Sequence, residues 1–254
     1  MPLLQPPAGP LPDTDRLLLI ISVNRRRRTA VLPVPLLLPV NTISDILLLH
    51  YAPLLPVDDS GITAHQAPDF FALWEALEQT SQGPCEVPFW ATVWPGTRML
   101  LRYLRESPSV VADKSVLDFG AGCAVAAMAA IKAGARSATA NDIDPIACHV
   151  AAVNSNVNQL PIVIDGRNFL TISDAPLYDV IFLADMFYQK SLSGLLLRFL
   201  RRQQSRGATV LIADGNRPFT PRKGVTPVCS ARFPVNRAIE GCDQRTVTLL
   251  QMID

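Results

Sequence analysis

The chain has 254 residues, a formal net charge of +1, and 49% hydrophobic against 18% charged residues. That length accommodates one substantial domain plus an extension, and the apolar content is enough for a buried core. The near-neutral balance supplies no global field, so coating of nucleic acid is not expected.

Five cysteines occur, at Cys85, Cys123, Cys148, Cys229 and Cys242. Their odd number, wide spacing and lack of a CxxC pair argue against a disulfide scaffold and a structural zinc site, and fit a reducing compartment. His50, His65 and His149 are too scattered to suggest a metal cluster. No apolar run approaches the roughly 20 residues that span a bilayer, so no membrane partner is expected.

Prolines crowd the start of the chain: Pro2, Pro6, Pro7, Pro10, Pro12, then Pro33, Pro35, Pro39, Pro53 and Pro56. Each removes a backbone donor and restricts its predecessor, so residues 1–60 read as an irregular Pro-rich extension, with residues 61–254 as the folded domain. Leu17–Ile21 could pack on that domain as a short strand. The run Arg25–Arg28 reads as a solvated basic turn, with a targeting presequence and a nucleic-acid patch as alternatives.

From Pro68 onward the pattern is regular. Asp69 caps a helix whose apolar positions are Phe70, Phe71, Trp74 and Leu77. Ser81-Gln82-Gly83-Pro84 ends it, and a second helix over 96–105 buries Met99, Leu100, Tyr103 and Leu104. Strand and helix then alternate: strands at 115–119, 137–141, 162–164, 179–184 and 208–213, helices at 123–133, 145–158 and 192–202. Repeated βα units imply a mostly parallel sheet with helices on both faces. The tail, 228–234 and 246–252, reads as an antiparallel hairpin at the sheet edge, giving an α/β sheet of seven strands.

Chemistry gathers at the strand ends. Val116-Leu117-Asp118-Phe119-Gly120-Ala121-Gly122 runs from a strand through a glycine turn into a helix. Glycines admit a ligand without a Cβ clash, and ligands of open α/β sheets sit at the carboxyl ends of strands. Val125 breaks the GxGxxG pattern, which argues against a dinucleotide pyrophosphate loop. Asn141-Asp142-Ile143-Asp144-Pro145 ends the second strand. There Asp142 is placed to accept both hydroxyls of a ribose, while Asp144 reads as a helix cap. Leu183-Ala184-Asp185-Met186-Phe187-Tyr188 ends the fourth with a carboxylate followed by aromatics. The segment Pro88–Gly96, with Phe89, Trp90 and Trp94, either closes the core or forms an aromatic wall against a cation.

In this order, PFWATVWPG, VLDFGAGC, NDIDPIA and ADMFY resemble the class I S-adenosylmethionine-dependent methyltransferases. Within these, the chain over 85–254 is similar to the electron-transfer flavoprotein β-subunit lysine methyltransferases, whose relatives are often labelled nicotinamide N-methyltransferase-like. The resemblance implies a Rossmann-like sheet, with S-adenosylmethionine as cofactor and no metal. It implies that Asp118, Gly120 and Gly122 hold the methionine end and Asp142 the ribose hydroxyls. It also implies that Asn168 meets the adenine amino group with Phe169 beside the ring, and that Trp94 lies against the cofactor. Asp185 and Tyr188 match the DxxY motif that lines a lysine channel. There Asp185 is expected to orient the amine, and Tyr188 with Phe187 to shape the channel.

The implied reaction is N-methylation of a lysine on a protein substrate by a monomer. A small-molecule N-methyltransferase and a non-catalytic cofactor-binding protein are the alternatives, and the family's range leaves cytoplasm and mitochondrial matrix both open. Ala213-Asp214-Gly215-Asn216-Arg217 stands where relatives tend to read Gly-Asp-Pro-Gly-Arg, and Gly96 is followed by Thr97 rather than a second glycine. The first departure faces the acceptor side.

Overall fold

The computed structural model describes residues 45–253. Leu17–Ile21 and Arg25–Arg28 lie outside them. Elements in chain order are α1 (Asp45–Tyr51), β1 (Leu54–Pro56), β2 (Thr63–His65), α2 (Phe70–Ser81), α3 (Pro95–Glu106), β3 (Ser115–Phe119), α4 (Val125–Lys132), β4 (Ser137–Asn141), α5 (Pro145–Asn158), β5 (Val163–Asp165), β6 (Val180–Ala184), α6 (Lys190–Gln204), β7 (Thr209–Asp214), β8 (Val225–Pro234), α7 (Arg237–Glu240) and β9 (Gln244–Met252).

Seven strands form the main sheet in the order β5-β4-β3-β6-β7-β9-β8. The first five are parallel; β9 runs antiparallel to β7, and β8 antiparallel to β9. The apolar strands alternate between two cores, as a period of two requires. Val116, Phe182 and Leu211 face the core shared with α3, α4 and α5. Leu117, Ile181, Leu183 and Ile212 face a second core with Phe199 of α6. Chain order reverses at β3, whose neighbours are β4 and β6, and such a switch opens a crevice at the strands' carboxyl ends.

Local signals set the helix starts. Asp69 accepts from the Ala72 N–H at 3.0 Å, and Asp144 accepts from the Ile146 N–H at 2.8 Å, ahead of Pro145. Asp144 is thus the cap that its position before proline suggests.

Residues 45–60 are more regular than their prolines imply. Leu48, Ala52 and Val57 are buried in the main core, and β1 pairs with β2 across the 60/61 division. Prolines at 53 and 56 flank or end the short strand, where a missing donor is tolerated. The hairpin is tied to α5 by amide side chains. Asn154 Oδ1 accepts from the His65 N–H at 2.9 Å, Asn158 Oδ1 from the Thr63 N–H at 2.8 Å, and Asn158 Nδ2 donates to the Thr63 carbonyl at 2.6 Å. Among the described residues no helix is long and apolar enough to cross a membrane.

Candidate active site

The turn between β3 and α4 carries three residues in left-handed backbone: Gly120 (φ 68°), Gly122 (φ 52°) and Ala124 (φ 60°). A Cβ on Gly120 would lie 2.5 Å from Met186 Sδ, and one on Gly122 would lie 3.3 Å from Trp90 Cα. Strain and crowding both select glycine here. The N–H groups of Gly120 and Ala121 donate to the Asn141 carbonyl at 2.9 and 3.0 Å, which locks the turn against the end of β4. Asp118 is buried beneath it, with Oδ2 accepting from the Ala127 N–H at 2.9 Å. Burial pushes its carboxyl up to about 7, and nearby Asp142 adds to the shift while the Ala127 bond opposes it.

Asp142 follows β4 directly. Its Oδ2 accepts from the Gly122 N–H at 2.9 Å and its Oδ1 from the Asp144 N–H at 3.0 Å. Burial raises its pKa above the ordinary carboxylate range, against those backbone bonds. A carboxylate offers about four acceptor positions, so a hydroxyl pair can still be received. Asn141 Nδ2 donates to the carbonyls of Asp165 and Arg167 at 2.7 and 2.9 Å, which fixes the turn after β5. On that turn Asn168 is exposed, with Oδ1 accepting from the Leu170 N–H at 3.0 Å.

Asp185 ends β6 in left-handed backbone (φ 52°). Its Oδ2 accepts from the Gly96 N–H at 2.6 Å; its Oδ1 accepts from the Gly215 N–H and from Arg217 Nε, both at 2.9 Å. Glycine is required at both backbone donors. A Cβ on Gly96 would lie 2.5 Å from the Ala213 carbonyl and 2.8 Å from Asp185 Oδ2. One on Gly215 would lie 2.7 Å from Arg245 Cδ and 2.9 Å from Asp185 Oδ1.

Arg217 continues the network. Its Nη2 and Nη1 donate to the two carboxylate oxygens of Glu240 at 2.7 and 3.0 Å, and Arg245 Nε pairs with Glu240 Oε2 at 2.7 Å. Burial works against the Arg217 charge, but Asp185 and Glu240 outweigh it and hold the guanidinium pKa above its ordinary value. Asp214, at the end of β7, accepts from the Arg217 N–H at 2.7 Å through Oδ1; burial and neighbouring Asp185 raise its pKa.

Aromatic rings line the same side. Trp94 precedes α3, donates from Nε1 to the Phe89 carbonyl at 2.8 Å, and lies under the Arg217 guanidinium, 5.5 Å from its carbon. Phe89 is 5.8 Å from Trp94 and 5.6 Å from Tyr188, centroid to centroid. Tyr188 is half-buried; burial, then Asp142 and Glu86, raise its pKa, so it is a neutral phenol near neutral pH.

The strand ends therefore bring Asp118, Gly120, Gly122, Asp142, Trp94, Asp185 and Tyr188 to one side of the sheet. Phe169 and Phe187 do not join them as open walls: they are 1% and 0% exposed and pack in the second core, Phe169 6.4 Å from Phe199. Both strand-end turns fold their aromatic residue back under the sheet because an apolar ring gains more from the core than from a solvated rim. Asp185 is also less available than its motif suggests, since three donors already occupy it. Sequence reasoning missed Gly96, Gly215, Arg217, Glu240 and Arg245 as one assembly. The signal available was the strand-end segment 213–217, which pairs a carboxylate with a glycine and an arginine.

A family model for ribosomal protein L11 methyltransferase (PrmA) matches residues 89–184. The electron transfer flavoprotein beta subunit lysine methyltransferase of Mus musculus is 41% identical over 143 residues, covering 56% of this chain and 56% of that protein. The Caenorhabditis elegans homolog is 31% identical over 149 residues, covering 53% and 61%. The alignments thus span little more than half the length of these relatives. A Pyrococcus horikoshii structure provisionally assigned as an RNA methyltransferase superposes with TM-score 0.50 at 14% identity, over 67% of this chain and 91% of that one, which establishes the fold. Over the matched region the chain is thus similar to the ribosomal protein L11 methyltransferase model and to the electron transfer flavoprotein beta subunit lysine methyltransferases.

Proposed function

We propose that this chain methylates a lysine side chain of a protein, with S-adenosylmethionine as methyl donor and the electron-transfer flavoprotein β-subunit as the first acceptor to test. The observation that carries the reading is the linkage of the glycine turn to Asp142, with the Asp185 and Tyr188 segment beside it. A carboxylate with acceptor capacity left over, beside backbone in left-handed turns, suits a ribose diol and an amino-acid end.

In this reading Asp142 binds the ribose hydroxyls and Gly120 and Gly122 admit the methionine end beside Asp118. Asn168 faces the base, with Phe169 supporting its turn from the core. When bound, S-adenosylmethionine supplies an electrophilic methyl group on a sulfonium, open to in-line displacement by a neutral amine. Trp94, Phe89 and Tyr188 form an aromatic wall that favours a cationic sulfonium by about 0.5–2 kcal/mol. Asp185 retains an acceptor position on Oδ2, enough to hold one amine N–H in line. Alignment of this kind can contribute roughly 7–11 kcal/mol to a displacement.

The test is transfer of labelled methyl from S-adenosylmethionine by wild type and Asp185→Ala. The acceptors are the purified β-subunit, a desalted lysate and its small-molecule fraction. Label on a protein, lost with Asp185→Ala while cofactor affinity persists, supports the reading. Label confined to small molecules overturns it.

A further inference from the structure

We infer that Arg217, held by Glu240 of the C-terminal hairpin, is a positioning residue for the acceptor side. It fixes Asp185 and the Trp94 ring together, so the hairpin that closes the sheet edge also sets the acceptor-side carboxylate and the aromatic wall beside it. The inference rests on the methyl-transfer reading for its catalytic consequence, and on the geometry alone for the linkage.

Four segments meet at this guanidinium. Asp185 comes from the end of β6, Arg217 from the loop after β7, Glu240 from α7, and Trp94 from the start of α3. The side chains of Arg217, Asp185 and Glu240 are 7%, 4% and 3% exposed. Charges this deep are tolerated only when paired in good geometry, so each fixes the next. The fork of Arg217 is divided between two carboxylates: both Nη atoms serve Glu240 and Nε serves Asp185. That division sets the plane of the guanidinium, whose carbon lies over the Trp94 ring, 5.5 Å from its centroid. Lysine keeps the charge but not the fork, so it cannot hold both carboxylates at once. The Arg237–Asp243 pair of the same hairpin is a contrast, with side chains 74% and 72% exposed.

The experiment compares wild type, Glu240→Gln, Arg217→Lys and Arg237→Gln as full chains. Glu240→Gln keeps the volume and removes the charge that holds Arg217, which avoids the unpaired buried carboxylates of a truncated arginine. The first readout needs no acceptor. The chain has three tryptophans, so the indole N–H resonance of Trp94 is assigned by Trp94→Phe. Glu240→Gln shifts that resonance and leaves those of Trp74 and Trp90 in place, and Arg237→Gln shifts none. The second readout is methylation of the flavoprotein β-subunit, with S-adenosylhomocysteine binding measured by calorimetry. Glu240→Gln and Arg217→Lys lower kcat/KM for the acceptor by on the order of 10- to 100-fold, the scale of a misplaced group near a reacting centre. S-adenosylhomocysteine affinity falls by much less than acceptor kcat/KM, because Trp94 is one cofactor contact while Asp142 and the glycine turn are untouched. An unmoved Trp94 resonance, unchanged turnover in Glu240→Gln, or a parallel loss of cofactor-product affinity overturns the inference. If wild type transfers no methyl to the β-subunit, the acceptor reading falls, and the Trp94 resonance decides the linkage alone.

Discussion

The Gly122 N–H donates to Asp142 Oδ2 at 2.9 Å, so the turn after β3 and the turn after β4 form one rigid unit. The carboxylate that would receive a ribose also sets the backbone of the glycine turn. Asp142→Asn leaves one oxygen where two now accept backbone N–H groups. Affinity for S-adenosylhomocysteine is expected to fall about tenfold or more, the scale of a lost charge-assisted hydrogen bond. Isothermal calorimetry reads this directly; unchanged affinity would remove Asp142 from the binding role.

Asp118 gives the free protein a distinctive pH dependence. Its folded pKa of about 7 lies above the ordinary carboxylate value because burial disfavours the charged form. The fold therefore binds this proton more tightly than the unfolded chain does. The contribution to stability is fully present below about pH 4 and is lost as pH rises through about 7. Urea denaturation across this range should show the wild type losing stability relative to Asp118→Asn as pH increases. A constant difference between the two would contradict the assignment.

Two glycines should respond in opposite ways to alanine. Gly96→Ala drives a methyl into the Ala213 carbonyl and Asp185 Oδ2, with an expected loss of about 1–3 kcal/mol from overpacking and a larger loss of acceptor turnover. Gly194 lies on the exposed face of α6, where a Cβ would meet only Arg198 Nη1 at 3.8 Å within 4 Å. Gly194→Ala should stabilise by about 0.5–1 kcal/mol through helix propensity, with activity unchanged. Thermal melts and methyl-transfer assays on the two variants separate these effects.

Asn154 is fully buried and serves two segments. It accepts from the His65 N–H and donates from Nδ2 to the Cys123 carbonyl at 3.0 Å. Asn154→Ala leaves a buried donor and a buried acceptor without partners, an expected loss of about 2–4 kcal/mol. Hydrogen exchange should locate the loosening at the β1–β2 hairpin and the turn before α4.

The sheet was legible because most of its parallel strands are short apolar runs with an acidic residue at or next to the carboxyl end. Val116–Asp118, Ala140–Asp142 and Leu183–Asp185 each announce a strand and its ligand end at once. Asp69 and Asp144 were legible as caps for an equally local reason: a short carboxylate before a helical pattern has nearby N–H groups to accept from. The Arg217 network was not legible as a network. Glu240 and Arg245 have no period and no motif, and only the antiparallel pairing of β9 with β7 brings them under the loop after β7. Phe169 and Phe187 misled for the opposite reason: they neighbour site residues in sequence, yet their rings turn into the core. The hairpin of β1 and β2 was hidden by its prolines, because its support comes from the side chains of Asn154 and Asn158, about 90 residues further along the chain.

The identity of the methylated atom tests the proposed methyl transfer most directly. The measurement is mass spectrometry of the flavoprotein β-subunit after incubation with the purified chain and S-adenosylmethionine, with fragment ions locating each added methyl group. The expected result is mass added in whole methyl increments on lysine side chains, reduced about tenfold or more with Asp142→Asn at limiting S-adenosylmethionine and absent with Asp185→Ala at saturation. Methyl groups on another residue type, or an unmodified β-subunit beside a methylated small molecule, would contradict it.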